Sequence, residues 1–150
     1  MVTEDNFPKN VAIIGGSLGA INAARALRRA KYKGHITFIS GEPYLPYDRP
    51  PLSKQVLTGE WPPDRVALVD DAMLEKLDLD LRLDTKATGL DRQNQVVELS
   101  DGNSVEYDAL IVATGATPRK LPNTEHLGDV YTLRTLNDSL AIKQAFEKSP

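Results

Sequence analysis

The sequence predicts an α/β domain with a parallel β-sheet, flanking helices and a small antiparallel β-meander. Two apolar runs, at residues 11–14 and 109–113, are typical of buried parallel strands, and each leads directly into a turn that contains glycine. Between them, residues 86–107 alternate with a period of two and are broken by the tight-turn pair Asp101–Gly102. This second pattern favours three small antiparallel strands attached to the parallel sheet.

Composition limits the possible functions of this 150-residue chain, which has room for one domain with a real core. The net charge of −3 and the lack of a basic run argue against nucleic acid as a partner. The chain has no cysteine, which excludes a disulfide, a thiolate metal site and a redox-active dithiol. His35 and His126 lack the spacing of metal ligands. Since no apolar run has the length of a membrane span, we expect a cytoplasmic protein without a membrane partner.

The first half of the chain follows a strand–helix–strand order. After a flexible lead-in at residues 1–10 and the first strand, residues 18–31 form a helix that has a basic last turn and a helix stop at Gly34. Residues 35–39 are rich in β-branched side chains and predict the second strand. Six of the ten prolines then fall in residues 43–63, which predicts a stiff irregular loop with a short helix near residues 52–57.

The remaining elements follow from capping residues and alternation. Residues 70–77 form a helix capped by Asp70 or Asp71, and residues 79–83 alternate as a third strand. Residues 137–148 form the last helix, with Asn137 or Asp138 as its cap. Residues 11–150 are therefore expected to form one domain.

The turn after the first strand is close to the dinucleotide pattern G-x-G-x-x-G. Its three defining positions fall on Gly15, Ser17 and Ala20, so a serine stands where the second glycine lets a pyrophosphate approach. Serine is still small, and its hydroxyl could donate to a phosphate. On its own, the turn is compatible with a dinucleotide site or with an ordinary strand-to-helix connection.

Charged residues follow the second strand where a nucleotide would need them. Glu42 could accept hydrogen bonds from both ribose hydroxyls of an adenosine, which favours FAD or NAD over NADP; the alternative is a solvated acid. Arg49 and Lys54 lie in the stiff loop and suit a diphosphate and a flavin, although most loop cations are only solvated. Tyr44 and Tyr47 are expected to pack rather than to stack on a ligand.

Four segments together carry a family resemblance, namely GGSLGAINAARALR, ISGEP, PYDRPPLSK and DGNSVEYDALIVATGATPRKLP. In this order and spacing they resemble the FAD-dependent NAD(P)H ferredoxin reductases of the pyridine nucleotide-disulfide oxidoreductase superfamily, to which rubredoxin reductases and apoptosis-inducing factor are similar. The resemblance extends from about Val11 to Phe146. It implies the Rossmann-like FAD-binding domain of a flavoprotein that passes electrons from NAD(P)H through FAD to a ferredoxin-type iron–sulfur protein.

The resemblance also implies which residues contact FAD, and it assigns no catalytic or metal-binding residue. Arg119 belongs to the ATGxxPR motif without an implied ligand contact. The implied contacts are the pyrophosphate turn (Gly15, Gly16, Ser17, Leu18, Gly19 and Ala20), the ribose site (Glu42 and Pro43), the loop cations (Arg49 and Lys54, the latter near the isoalloxazine), Ala87 at the adenine, the ATG turn (Thr114 and Gly115), and Arg134.

In the family, a second glycine fingerprint for NAD(P)H follows where this chain stops. We therefore expect residues 11–150 to be an incomplete FAD domain, not competent for turnover alone and completed by a partner chain or by self-association. Two alternatives stay open. One is a non-catalytic, truncated flavin- or nucleotide-binding module. The other is an NAD-dependent dehydrogenase domain, which would need a downstream catalytic acid or base that the sequence does not offer convincingly.

Overall fold

The chain divides into two compact units. The first comprises Met1–Tyr47 and Leu68–Thr114, and the second comprises Asp48–Ala67 and Gly115–Pro150. The structure is a computed structural model that describes residues 7–124, 126–128 and 130–148. In chain order the elements are β1 (Asn10–Ile14), α1 (Leu18–Arg29), β2 (His35–Ile39), α2 (Gln55–Thr58), α3 (Asp71–Leu77), β3 (Asp80–Arg82), β4 (Ala87–Asp91), β5 (Val96–Leu99), β6 (Ser104–Glu106), β7 (Ala109–Val112) and α4 (Leu136–Lys148), with short 3₁₀ helices at Pro50–Ser53 and Pro63–Val66.

A four-stranded parallel sheet lies at the centre of the first unit, in the order β3-β2-β1-β7. The register pairs Ile14 of β1 with Ile39 of β2 on one side and with Val112 of β7 on the other. The carboxyl ends of these three strands therefore meet at one edge. In open α/β sheets this edge is where ligands bind.

Alternating side chains of the parallel sheet enter two different cores. Ile13 and Phe38 face helices α1 and α3, together with Ile21 of α1, and all three side chains are fully buried. On the other face, Ile39 packs against Val97 of β5. The first unit thus has three layers, with helices, parallel sheet and antiparallel sheet in that order, and the predicted fold class is confirmed.

The meander forms a sheet of its own. Strands β4, β5 and β6 pair antiparallel, as the period of two predicts. They are not added to the parallel sheet as extra strands; instead, Val97 and Leu99 of β5 close the face that the helices leave open. The prediction of a small antiparallel meander attached to the parallel sheet is therefore confirmed, and the structure shows that it attaches by packing on the face of that sheet.

Helix α1 ends earlier than predicted. Lys31, at φ +63°, occupies the left-handed position that follows the helix. The N–H of Tyr32 donates to Leu27 O and that of Lys31 to Arg28 O, each at 3.0 Å, which is the Schellman arrangement. Gly34 is thus not the helix stop. A glycine is needed at this position because a Cβ there would lie 2.5 Å from Lys9 O.

The lead-in prediction falls partly outside the described residues, since residues 1–6 are not described. Its last residues are fixed by Asp108, whose Oδ2 accepts the N–H groups of Lys9 and Asn10 at 2.8 and 2.7 Å. Asn10 already belongs to β1, so the ordered sheet begins inside the predicted lead-in.

The second unit contains the proline-rich loop and helix α4. Buried Ser139 of α4 donates its hydroxyl to Leu52 O at 2.7 Å, which ties the loop to the helix. The residue that precedes α4 is Thr135, so the N-cap position is not Asn137 or Asp138, although the Asp138 side chain takes part in the cap. Thr135 Oγ1 accepts the N–H of Asp138, while Asp138 Oδ2 accepts the N–H of Thr135. This reciprocal pair is a capping box.

Candidate dinucleotide-binding site

The turn between β1 and α1 has no room for side chains at its first two positions. Gly15 has φ +137°, and a Cβ there would lie 2.2 Å from Ala113 O. At Gly16, a Cβ would lie 2.1 Å from the hydroxyl oxygen of Ser40. Both positions therefore require glycine, because the turn lies directly against the residues that follow β7 and β2.

Ser17 is tolerated because its position does not need a left-handed backbone. It is the N-cap of α1 with an extended conformation (φ −133°), and its side chain makes no capping hydrogen bond. The sequence pattern placed the second essential glycine at this position. The structure places it at Gly16, since the close neighbour is Ser40, which no spacing rule within the turn could indicate.

The start of helix α1 suits a phosphate group. Leu18 and Gly19 are exposed, and the first turn holds no acidic residue that would compete for its N–H groups. The N–H groups that have no partner within a helix at its start, and the helix dipole, both favour an anion here. Ala20 is fully buried, so it serves the close packing of helix against sheet, as its place in the pattern predicts.

Glu42 is held at the same sheet edge, three residues after β2. Its N–H donates to Ser40 Oγ at 3.3 Å, and its carbonyl accepts the N–H of Asp84 at 3.0 Å. The hydroxyl of Tyr47 donates to Glu42 Oε2. The backbone and the carboxylate of Glu42 are therefore both fixed, whereas its neighbour Pro43 is exposed.

Two further predicted residues, Thr114 and Ala87, belong to segments that lie near this edge of the sheet. The N–H of Ala113 donates to Ile14 O at 2.7 Å, so exposed Thr114 follows β7 beside the glycine turn. Ala87 is the first residue of β4, two residues beyond Thr85, whose N–H donates to Ser40 O at 2.8 Å. The first unit thus brings together the glycine turn, Glu42 and Thr114, with β4 beginning beside the Ser40 loop.

The other predicted contacts belong to the second unit. Arg49 Nη1 donates to Arg134 O at 2.6 Å, and both arginines line a cavity of about 350 Å³. At Gly115 (φ +75°) a Cβ would lie 2.7 Å from Arg134 Nη2. Lys54 is exposed and follows the 3₁₀ helix Pro50–Ser53. Arg119 lines a second cavity of about 430 Å³.

The capping carboxylate of Asp138 makes the second unit sensitive to acid. Burial raises the pKa of Asp138, but hydrogen bonds from Thr135 and Arg134 and the charge of Arg49 outweigh it and lower the pKa overall. Because the folded pKa lies below the unfolded value, the carboxylate stabilises the fold above pH ~4 and loses this effect as the pH falls through the folded pKa.

Replacing Asp138 with alanine is expected to lower the free energy of unfolding by about 1 kcal/mol at neutral pH, since one helix cap is lost. The difference from the parent chain should shrink as the pH falls from neutral to well below ~4, because the lowered pKa of the folded carboxyl group is passed in that range. Urea unfolding followed by circular dichroism at both pH values measures this. Glu147→Ala, an exposed acid on the same helix, is the matched control. If Asp138→Ala lowered the free energy of unfolding by the same amount at both pH values, the proposed role of the Asp138 carboxylate would be wrong.

A sequence model described as the pyridine nucleotide-disulphide oxidoreductase family matches residues 9–149. The chain belongs to this family. The family is FAD-dependent, which agrees with the cofactor that the sequence predicts. Its name refers to a disulfide, but this chain has no cysteine with which to form one.

Individual relatives agree with this assignment. The chain is 38% identical to the ferredoxin–NAD(+) reductase component of a biphenyl dioxygenase system from Paraburkholderia xenovorans, over 91% of this chain and 34% of that protein. It is 34% identical to a rubredoxin–NAD(+) reductase of Pseudomonas putida, over 93% of this chain and 36% of that protein. The chain thus spans about a third of the length of these relatives.

Solved structures of the family superimpose well on the chain. The covalent complex of putidaredoxin reductase with putidaredoxin gives a TM-score of 0.84 at 32% identity, covering 91% of this chain and 34% of that one. A ferredoxin reductase from Rhodopseudomonas palustris gives a TM-score of 0.85 at 34% identity, covering 93% of this chain and 35% of that one. These similarities confirm the resemblance stated from the four sequence segments.

Two other findings apply to the described part of the chain. Within residues 7–124, 126–128 and 130–148, no three His, Cys, Asp or Glu side chains are grouped so that they could hold a metal ion. Among the helices that the structure describes, none combines the length and apolar character needed to cross a membrane.

Proposed function

We propose that this chain binds FAD, with the pyrophosphate at the β1–α1 turn and the adenosine ribose at Glu42. The observation that supports this most strongly is the lack of room for a side chain at Gly15 and Gly16, where any Cβ would collide with Ala113 or Ser40. Both glycines also stay partly exposed, so a phosphate can approach the backbone of the turn. The acid-free start of α1 adds N–H donors, and the fixed carboxylate of Glu42 adds an acceptor for ribose hydroxyls.

We further propose that the chain acts as the FAD-binding portion of an oxidoreductase that passes electrons from NAD(P)H to a ferredoxin-type iron–sulfur protein. Bound FAD supplies the step that this needs, because it takes up two electrons as a hydride and can release them singly. The names of the relatives, which include ferredoxin and rubredoxin reductases, support the class of acceptor. The residues of the chain then bind and orient the cofactor.

Several assignments stay predictions. They include the FAD contacts of Pro43, Arg49, Lys54, Ala87, Gly115 and Arg134, the completion of the domain by a partner chain or by self-association, and the cytoplasmic location. The rival function, an NAD-dependent dehydrogenase, uses the same turn for NAD. A titration of the chain with each nucleotide separates the two functions, because only the proposed one requires FAD binding.

Glu42→Gln tests the ribose site. We expect it to raise the Kd for FAD about tenfold or more, since hydrogen bonds to a charged group contribute about 1.5–3 kcal/mol and tenfold corresponds to about 1.4 kcal/mol. Quenching of FAD fluorescence on titration with the chain measures Kd. Glu75→Gln is the matched control, because Glu75 is an exposed acid on α3. Equal Kd values for the parent chain and Glu42→Gln would remove Glu42 from the site.

A further inference from the structure

The buried ring of Tyr47 carries a hydroxyl that reaches the candidate ribose site. Only 3% of the Tyr47 side chain is exposed, so its ring serves packing, as the sequence predicts. The ring of Tyr44 stands edge-on to it at a centroid distance of 6.3 Å. The carbonyl of the preceding Pro46 accepts the N–H of Leu68 at 2.8 Å. The direction of the Tyr47 hydroxyl is therefore set by the surrounding fold.

That hydroxyl donates to Oε2 of Glu42, five residues earlier in the chain. The backbone of Glu42 is fixed independently, by Ser40 on one side and by Asp84 on the other. A glutamate side chain has three rotatable bonds, and fixing the backbone alone does not orient its carboxylate. The hydrogen bond from Tyr47 acts on the carboxylate itself.

We infer that Tyr47 is a positioning residue for ribose recognition, because it orients the Glu42 carboxylate before an adenosine nucleotide binds. The inference rests on the proposed FAD function. A carboxylate has about four acceptor sites, and the phenol occupies one of them. Orienting the acceptor in advance reduces the ordering cost at the moment of binding. The phenol is a neutral donor, so it adds no positive charge that would attract a 2′-phosphate.

Tyr47→Phe removes only the hydroxyl and keeps the packed ring. We expect it to raise the Kd for FAD about five- to twentyfold, in line with one hydrogen bond to a charged group partly replaced by water. The change should be small for FAD whose adenosine lacks the 2′-hydroxyl, because that analogue uses Glu42 less. The Kd for the 2′-deoxy analogue divided by the Kd for FAD should therefore be smaller in Tyr47→Phe than in the parent chain.

A double-mutant cycle with Glu42→Gln distinguishes positioning from a general structural effect. If Tyr47 acts through Glu42, Tyr47→Phe should have little further effect on FAD affinity in the Glu42→Gln background. Tyr107→Phe is the matched control, because Tyr107 packs half-buried against the β5 core of the same unit. Circular dichroism and the thermal midpoint establish that each variant is folded.

The possible results separate this inference from the proposed function. FAD binding by the parent chain with an unchanged Kd in Tyr47→Phe overturns the role of Tyr47 and leaves the FAD site intact. An equal loss of affinity in both Glu42 backgrounds also overturns it, since the effect would not pass through the carboxylate. Failure of the parent chain to bind FAD overturns both proposals.

Discussion

Replacing Gly15 with alanine is expected to lower the free energy of unfolding by about 3 kcal/mol or more and to abolish measurable FAD binding. Two costs add. A backbone at φ +137° is open to glycine and strained for alanine, at about 1–3 kcal/mol. The new Cβ would also lie 2.2 Å from Ala113 O, so β1 and β7 must move apart where they form the proposed phosphate site.

Gly19→Ala is the control for this prediction, because it adds the same methyl group one helical turn away. A Cβ at Gly19 would lie 3.7 Å from the Ala113 side chain, an ordinary contact, and alanine favours a helix by up to about 1 kcal/mol over glycine. Urea unfolding should therefore show Gly19→Ala at least as stable as the parent chain. Similar stability of Gly15→Ala and Gly19→Ala would contradict the geometry of the turn.

Phe38→Ala is expected to destabilise the chain by about 3–5 kcal/mol, enough to unfold a domain of ordinary stability in part. Phe38 is fully buried in β2, between Ile13 of β1 and Leu81 of β3 in register, and it faces the helical layer. Its loss leaves a cavity at the centre of the first unit. The midpoint of urea unfolding should fall with little change in slope.

Phe146→Ala gives the matched comparison, since the Phe146 side chain on α4 is 71% exposed. We expect a change within about 0.5 kcal/mol, as is usual for surface positions. If Phe38→Ala lowered the free energy of unfolding by no more than Phe146→Ala does, the parallel sheet would not pack as described.

Local patterns predict most of the elements in the first unit. Apolar runs mark β1 and β7, and β-branched side chains mark β2. Asp70, one of the two caps that the sequence offers, caps α3 by accepting the N–H of Met73 at 2.8 Å. The partners of these elements are not local. The pairing of β1 with β7 joins residues nearly a hundred positions apart, and one sequence carries no information about such a contact.

The site follows the same division. Spacing identifies Gly15, Ala20 and Glu42, because their roles depend on strand ends and helix starts. The need for glycine at Gly16 depends on Ser40, and the constraint on Glu42 depends on Tyr47. Both are contacts across a loop. The Thr135–Asp138 capping box is local, and its T-x-x-D spacing is the signal that points to Thr135 rather than to Asn137 or Asp138.

The central claim is that the β1–α1 turn and Glu42 form the adenosine-diphosphate half of an FAD site. Equilibrium dialysis of the 150-residue chain against FAD, FMN, ADP-ribose and NAD tests it directly. FMN has the flavin without the adenosine, whereas ADP-ribose has the adenosine and pyrophosphate without the flavin. We predict that FAD binds, that ADP-ribose competes with it, and that FMN binds far more weakly. FMN binding as tight as that of FAD, or binding of NAD without FAD, would contradict the claim.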